Sequence, residues 1–262
     1  MNTSIQVLDL KAGDILLYQR TSFFARMIRL FDGSEYSHVS IYDGSNIAEA
    51  VGHGVVSNSV ATSIQEASFV DVYRFRSITG QYLGDPGYEA QPVINRINFY
   101  VTQGERYAYE EIILLAFLLI TRRLPVVGWI PGLGKILRTI LDNATDVLNK
   151  IIAAGKEPMI CSELVYRCYI EAGEKYKLAI VGADLLMQFS IYDSLAKGIT
   201  PLTEEERGNQ EAQELAASAM EFLNLFAAAR KREIKLLAVP DFVTPRDIKT
   251  SPNLHRVGRL KG

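Results

Sequence analysis

Cysteine is scarce in this chain, with two residues in 262 and none before position 161. So low a count excludes a disulfide framework. Cys161 and Cys168 fall on one predicted helix, roughly 10 Å apart along its axis, which is farther than a disulfide reaches. Histidine occurs three times, at 38, 53 and 255, so any chemistry that needs an imidazole has three candidates. Neither sign of charge dominates: 28 Lys and Arg stand against 30 Asp and Glu, a net charge of -2. That balance excludes a broad basic surface and makes nucleic acid a poor partner. The apolar run Ile112 to Ile120 ends at Thr121-Arg122-Arg123 and is far short of the about 20 residues a membrane-spanning helix needs. The N-terminus, Met-Asn-Thr-Ser-Ile-Gln-Val-Leu-Asp-Leu, has no basic run leading into an apolar core. No signal peptide is expected, and the expected location is cytoplasmic. Internal repeats and low-complexity linkers are also missing.

The composition is that of an ordinary globular chain, 48% hydrophobic and 22% charged. The length suits one large domain or a domain with elaborations, with core enough to need no staples. A turn at Lys11 to Asp14 precedes a short buried strand, Ile15 to Tyr18. Ser22 caps an amphipathic helix that runs to Phe31. Ser37 to Tyr42 alternates and ends at Asp43-Gly44, which predicts a hairpin with Ile47 to Val51. Val55 to Val60 and Phe69 to Phe75 add strands, with a helical turn or two at 62–67. The rest reads as helical: 91–101, 107–120, 133–154, 161–172 and, by propensity, 204–235. A short segment is expected at 182–190. Thr244-Pro245-Arg246-Asp247 has the form of a capped helix start. The segment 112–141, with Trp129 and flanking prolines, reads as a buried helical hairpin; the alternative is an interfacial element touching membrane or an acyl chain.

One stretch has the makings of a nucleophile. In Met159-Ile160-Cys161-Ser162-Glu163-Leu164-Val165-Tyr166, Pro158 keeps the helix from starting earlier. The Cys161 thiol then sits where the helix dipole and free backbone N–H groups favour thiolate. The competing reading is a small buried hydrophobe. A thiolate nucleophile needs a base and a group to orient that base. His38 lies on the first hairpin strand. With the turn centred near 44 and 45, Val51 faces His38 and Glu49 lies diagonal to it, within side-chain reach. Glu49, an acid among Ile47, Ala48, Ala50 and Val51, needs a partner if buried, and an imidazole N–H is one. On an edge strand it would instead face solvent.

Together, Gly13-Asp14-Ile15-Leu16, Ser37 to Gly44, Ala48-Glu49-Ala50 and Cys161 to Tyr166 resemble the circularly permuted, papain-like branch of the NlpC superfamily. YiiX-like and YebB-like proteins fall in that branch, and lecithin:retinol acyltransferase is a more distant relative. The resemblance covers roughly Leu10 to Ala172, with a weaker echo of YiiX-like tails at 244–251. It implies Cys161 as nucleophile, His38 as general base and Glu49 as the residue orienting the histidine. It also implies Tyr107, within Gly104-Glu105-Arg106-Tyr107, as a site-lining residue that helps the oxyanion, with Tyr109 its local competitor. The backbone N–H of Cys161 is the other expected oxyanion donor. The order His, acid, Cys reverses that of papain-like enzymes, which is what permutation means. Two features depart from the family: the apolar insertion between Tyr107 and Cys161, and 196–235, which has no counterpart. The acyltransferase relatives carry a second histidine near the first, whereas here the nearest is His53. Glu163 is read as a first-turn acid that stabilises its helix.

The expected fold is α+β: a small antiparallel sheet on the Cys161 helix, in a permuted papain-like domain over 1–195. That domain includes a helical insertion at 110–155, and a helical extension at 196–262 packs on it. The expected function is a cysteine hydrolase of peptidase or amidase type, acting on a small peptide, amino-acid amide or acylated substrate. No cofactor or metal is expected. The alternatives are a lipid-directed acyltransferase or thioesterase, with peripheral membrane contact through 112–141, and a non-catalytic lipid- or peptide-binding module.

Overall fold

A computed structural model describes residues 3–51, 54–103, 106–107, 110–121, 133–155, 157–181, 210–229 and 243–260. Its centre is a seven-stranded sheet in the order β1-β9-β6-β2-β3-β4-β5. The strands are β1 (Ser4–Ile5), β2 (Ile15–Arg20), β3 (His38–Tyr42), β4 (Ile47–Val51), β5 (Gly54–Asn58), β6 (Ala67–Phe75) and β9 (Leu254–Leu260). All neighbours are antiparallel except β1 and β9. Two short strands, β7 (Arg106–Tyr107) and β8 (Glu157–Pro158), pair in parallel outside that sheet. The helices are α1 (Phe23–Asp32), α2 (Val60–Ile64), α3 (Gln91–Gln103), α4 (Glu110–Thr121), α5 (Leu133–Ala153), α6 (Cys161–Ile170), α7 (Gln210–Ala229) and α8 (Pro245–Lys249). The mixed α+β architecture is therefore the expected one.

Local chemistry accounts for the element ends. The Ser22 hydroxyl accepts from the Ala25 N–H at 3.0 Å, and Gly33, at φ 61°, closes α1 in the left-handed conformation that glycine adopts without strain. Thr244 and Asp247 cap α8 reciprocally: the Asp247 N–H donates to the Thr244 hydroxyl, and the Thr244 N–H donates to the Asp247 carboxylate.

The sheet separates two apolar layers. Ile15, Leu17, Val39, Ile41, Ala48 and Ala50 face a large cluster that includes Cys161, Leu164, Val165, Cys168 and Tyr169 of α6. Leu16, Tyr18, Tyr42, Ile47, Val70 and Val72 face a smaller cluster on the other side. This is the period-two alternation of a sheet buried on both faces. α6 packs on β3, β4 and α3, and its Tyr169 hydroxyl donates to the Gly13 carbonyl at 2.5 Å. α4 lies between α1 and α5, and α5 packs along α7. The apolar side chains of Ile113, Leu114, Leu115, Ala116 and Leu118 are buried there, as the helical-hairpin reading predicts for this part of the segment. Trp129 and residues 182–209 lie outside the described residues.

One feature corrects the sequence reading. The extension 196–262 was expected to be helical, yet Leu254–Leu260 is a strand beside β6 in the main sheet. Its alternation is masked by Arg256, Gly258 and Arg259. The arginines are there for a reason: the buried Asp71 carboxylate of β6 accepts from Arg256 Nη2 at 2.7 Å and from Arg259 Nε and Nη2 at 2.8 and 2.9 Å. Tyr36 adds a fourth donor at 2.7 Å. Burial pushes this carboxyl up, but those donors outweigh it and hold it at about 2.

If α7 is integral to the core, truncating its fully buried Phe226 opens a cavity between α7 and its neighbours. Phe226→Ala is expected to lower unfolding free energy by about 3–5 kcal/mol, read from urea denaturation with an unchanged slope. A loss below about 1 kcal/mol would show that α7 does not pack as described.

Candidate active site

The β3–β4 hairpin is set by its turn. Asp43 Oδ1 accepts from the N–H groups of Ser45 and Asn46, each at 2.7 Å. Gly44 takes φ 109°, where a side chain would be strained. The register is Ile41 opposite Ala48 and Tyr42 opposite Ile47. Continued along the strands, it sets Val51 opposite His38 and Glu49 diagonal to it.

His38 and Glu49 are brought together. His38 Nε2 lies 2.9 Å from Glu49 Oε2, with both residues only 1% exposed. Glu49 is held from two further directions: Arg20 Nη2 of β2 donates to Oε2 at 3.1 Å, and Asn58 Nδ2 of β5 donates to Oε1 at 2.9 Å. Burial pushes the Glu49 carboxyl up, but the bonds from His38 and Asn58 and the Arg20 charge outweigh it and hold the group at about 2. An ionised carboxylate facing Nε2 assigns the proton to that nitrogen and leaves the ring's lone pair on Nδ1. The ring is seated as well. Tyr18 faces His38 directly in the β2–β3 ladder, and the two rings lie 5.0 Å apart. The Tyr18 hydroxyl is fixed by Ser40 and Ser63 at 2.6 and 2.8 Å.

Cys161 is the first residue of α6 and is 1% exposed. Glu163, fully buried, accepts from the Ile160 N–H at 3.4 Å and from Arg167 Nε at 2.6 Å. That is the first-turn stabilising arrangement expected of it. Strand alternation puts Val39, Ile41, Ala48 and Ala50 in the layer Cys161 shares, while His38 and Glu49 leave their strands toward the other face. The described contacts of Cys161 are apolar, and none joins its sulfur to the His38 ring. The other thiol, Cys168, is fully buried, and burial followed by the Glu171 charge pushes it far up, as for an inert structural cysteine.

The backbone of Tyr107 lies in β7 opposite Pro158, three residues before Cys161; its side chain, like Tyr109 and His53, lies outside the described residues. His255 is on β9, opposite Arg74, with β6 and β2 between it and β3. Tyr18, Arg20 and Asn58 were not anticipated. The signal was parity: once β2 is paired with β3, positions 18 and 20 share a face with His38, and Asn58 is diagonal to Glu49 across β5.

No family model matches the chain. Over 106 residues, 36% of its length, the chain is 32% identical to a protein of Escherichia coli (strain K12) named probable lipoprotein peptidase YaeF. The match spans 39% of that protein, well under half of it. Among solved structures, the chain is similar to that titled metalloprotein yiiX from Escherichia coli O157:H7. The identity is 17% and the TM-score 0.44, with 94% of this chain and 96% of that one covered. The peptidase name of the first fits the papain-like branch that the motifs resemble.

The state of Glu49 has a measurable consequence. Because its carboxyl is held below the ordinary value, its contribution is full above about pH 4.5 and is lost as pH falls toward about 2. Glu49→Gln is expected to cost on the order of 3 kcal/mol at pH 7. The gap between wild type and variant should then close between about pH 4.5 and 2 in urea melts. Parallel curves across that range would contradict the assignment.

Proposed function

We propose that this chain is a cysteine hydrolase of peptidase or amidase type, with Cys161 as nucleophile, His38 as base and Glu49 as the residue that orients His38. The observation that carries the reading is the buried His38–Glu49 pair, in which Arg20 and Asn58 fix the carboxylate. A histidine with one nitrogen locked to an ionised carboxylate presents the other as a proton acceptor in a set direction. The peptidase-named relative and the ordered motifs support the same class. A purely structural role for a buried His–Glu pair is the competing reading.

In the proposed reaction, His38 Nδ1 takes the Cys161 thiol proton and the sulfur attacks the substrate carbonyl. His38 returns the proton to the leaving amine as the C–N bond breaks, which leaves an acyl-enzyme thioester. Water, deprotonated by the same nitrogen, then attacks the thioester, and the thiol is reformed with the carboxylic acid product. The Cys161 backbone N–H at the start of α6 is the proposed donor to the oxyanion, with Tyr107 beside it. The reading requires sulfur and ring to meet around the end of β3, of which His38 is the first residue; a sheet that keeps the two on opposite faces in the substrate complex contradicts it. A small peptide or amino-acid amide is the proposed substrate. Transfer of an acyl group from a lipid would pass through the same intermediate. The burial of the described α4 side chains under α1, α5 and α7 favours the peptide.

A cysteine-directed acyl probe tests the proposal. Wild type is expected to label at Cys161 alone, with Cys168 silent. Cys161→Ala should not label, and His38→Ala should label about 100-fold or more slowly. Equal labelling of wild type and Cys161→Ala would remove the hydrolase reading.

A further inference from the structure

An exposed apolar side chain is ordinary when it stands alone. α1 exposes two in line. Phe23 is 62% exposed and Leu30 69%, and they stand about two helical turns apart on one face. Met27, half-buried, falls between them. Ala25, Ile28 and Asp32, all fully buried, form the opposite face against the core. A surface helix normally turns polar residues outward; α1 turns an apolar strip to solvent.

The rim of that strip carries charge of one sign. Arg26 and Arg29 flank it along one side of the helix. Arg26 is exposed, and its Nε donates to the Thr21 carbonyl at 3.2 Å. Among the described residues neither guanidinium has a salt bridge. The one acid of the helix, Asp32, is turned inward and accepts from the Arg246 N–H at 2.9 Å. Glu35, past the helix end, is matched by Lys249 at 3.8 Å. The outward face of α1 is therefore apolar and cationic, with no carboxylate of its own.

Those two chemistries together select the occupant. A second copy seated on the same face by a two-fold axis would bring its own Arg26 and Arg29 against these, like charge on like. A bilayer with anionic headgroups matches both features. The Phe23 ring and the Met27 and Leu30 chains enter the boundary between headgroups and acyl chains, and the guanidiniums meet lipid phosphates. A free helix of ten residues would be too short to form on its own. α1 is already formed, because Ser22 caps its start, Gly33 closes its end and α4 packs against it. It is presented to a surface with no ordering cost left to meet.

We propose that α1 is a membrane-contact element that seats Phe23, Met27 and Leu30 at the surface of a bilayer containing anionic lipid. The contact is independent of the hydrolase reading and lies on a different segment from 112–141. The test sediments the full chain with vesicles of equal parts phosphatidylglycerol and phosphatidylcholine, and with vesicles of phosphatidylcholine alone. The expected result is binding to the anionic vesicles that falls as potassium chloride is added, and weaker binding to the neutral ones. Phe23→Ser combined with Leu30→Ser, at two exposed positions, should weaken binding about tenfold or more, and Arg26→Gln about fivefold, with far-UV circular dichroism unchanged. Cys161→Ala should bind as wild type does, so failure of the hydrolase reading leaves this result standing. No binding to the anionic vesicles, or binding that survives the double substitution, would overturn the proposal. So would a dimer in sedimentation equilibrium of the chain alone that the double substitution dissolves, which would assign the strip to a second copy.

Discussion

A carboxylate buried to 1% exposure is costly unless donors surround it, and Glu49 is where this fold meets that cost. Three strands supply the donors: β3 gives His38, β2 gives Arg20 and β5 gives Asn58. Each side chain reaches the carboxylate only if all four strands keep their register. A slip of one residue anywhere would turn a donor to the opposite face and leave a charge stranded in the sheet. The hairpin turn at Asp43 to Asn46 and the Tyr18–Ser40–Ser63 bonds therefore serve the same end as the pair itself. They hold one imidazole in one tautomer.

The other half of the molecule is organised by α6. Seven of the nine side chains beyond Cys161 are buried, and the helix touches the sheet, α3 and, through Ser162, the Val243 carbonyl before α8 at 2.5 Å. A helix so enclosed cannot shift without disturbing the core. Its first residue is the cysteine, and the β7–β8 pair sets the chain that leads into it. The polar pair and the thiol are thus both placed by rigid elements, which is the support a catalytic constellation needs.

Much of this was legible in the sequence. The Asp43-Gly44 turn fixed a register, and the register set Glu49 diagonal to His38. Ser22 and Thr244 announced their helices through capping chemistry. What escaped notice shares one physical cause. β9 was missed because Arg256 and Arg259 serve Asp71, a partner nearly two hundred positions earlier, and so break the apolar alternation. Arg20 and Asn58 were missed because each looks like an ordinary polar strand end until the long-range pairing is known. The pairs β1 with β9 and β7 with β8 are two residues long, too short for any periodic signal.

The central claim is that Cys161 and the His38–Glu49 pair act as one site. The most direct measurement follows the His38 ring nitrogens by NMR before and after alkylation of Cys161 with iodoacetamide. The account predicts that modifying the sulfur displaces the Nδ1 signal and alters the titration of His38, while His255 is unmoved. A His38 spectrum and titration unchanged by modification of Cys161 would contradict it.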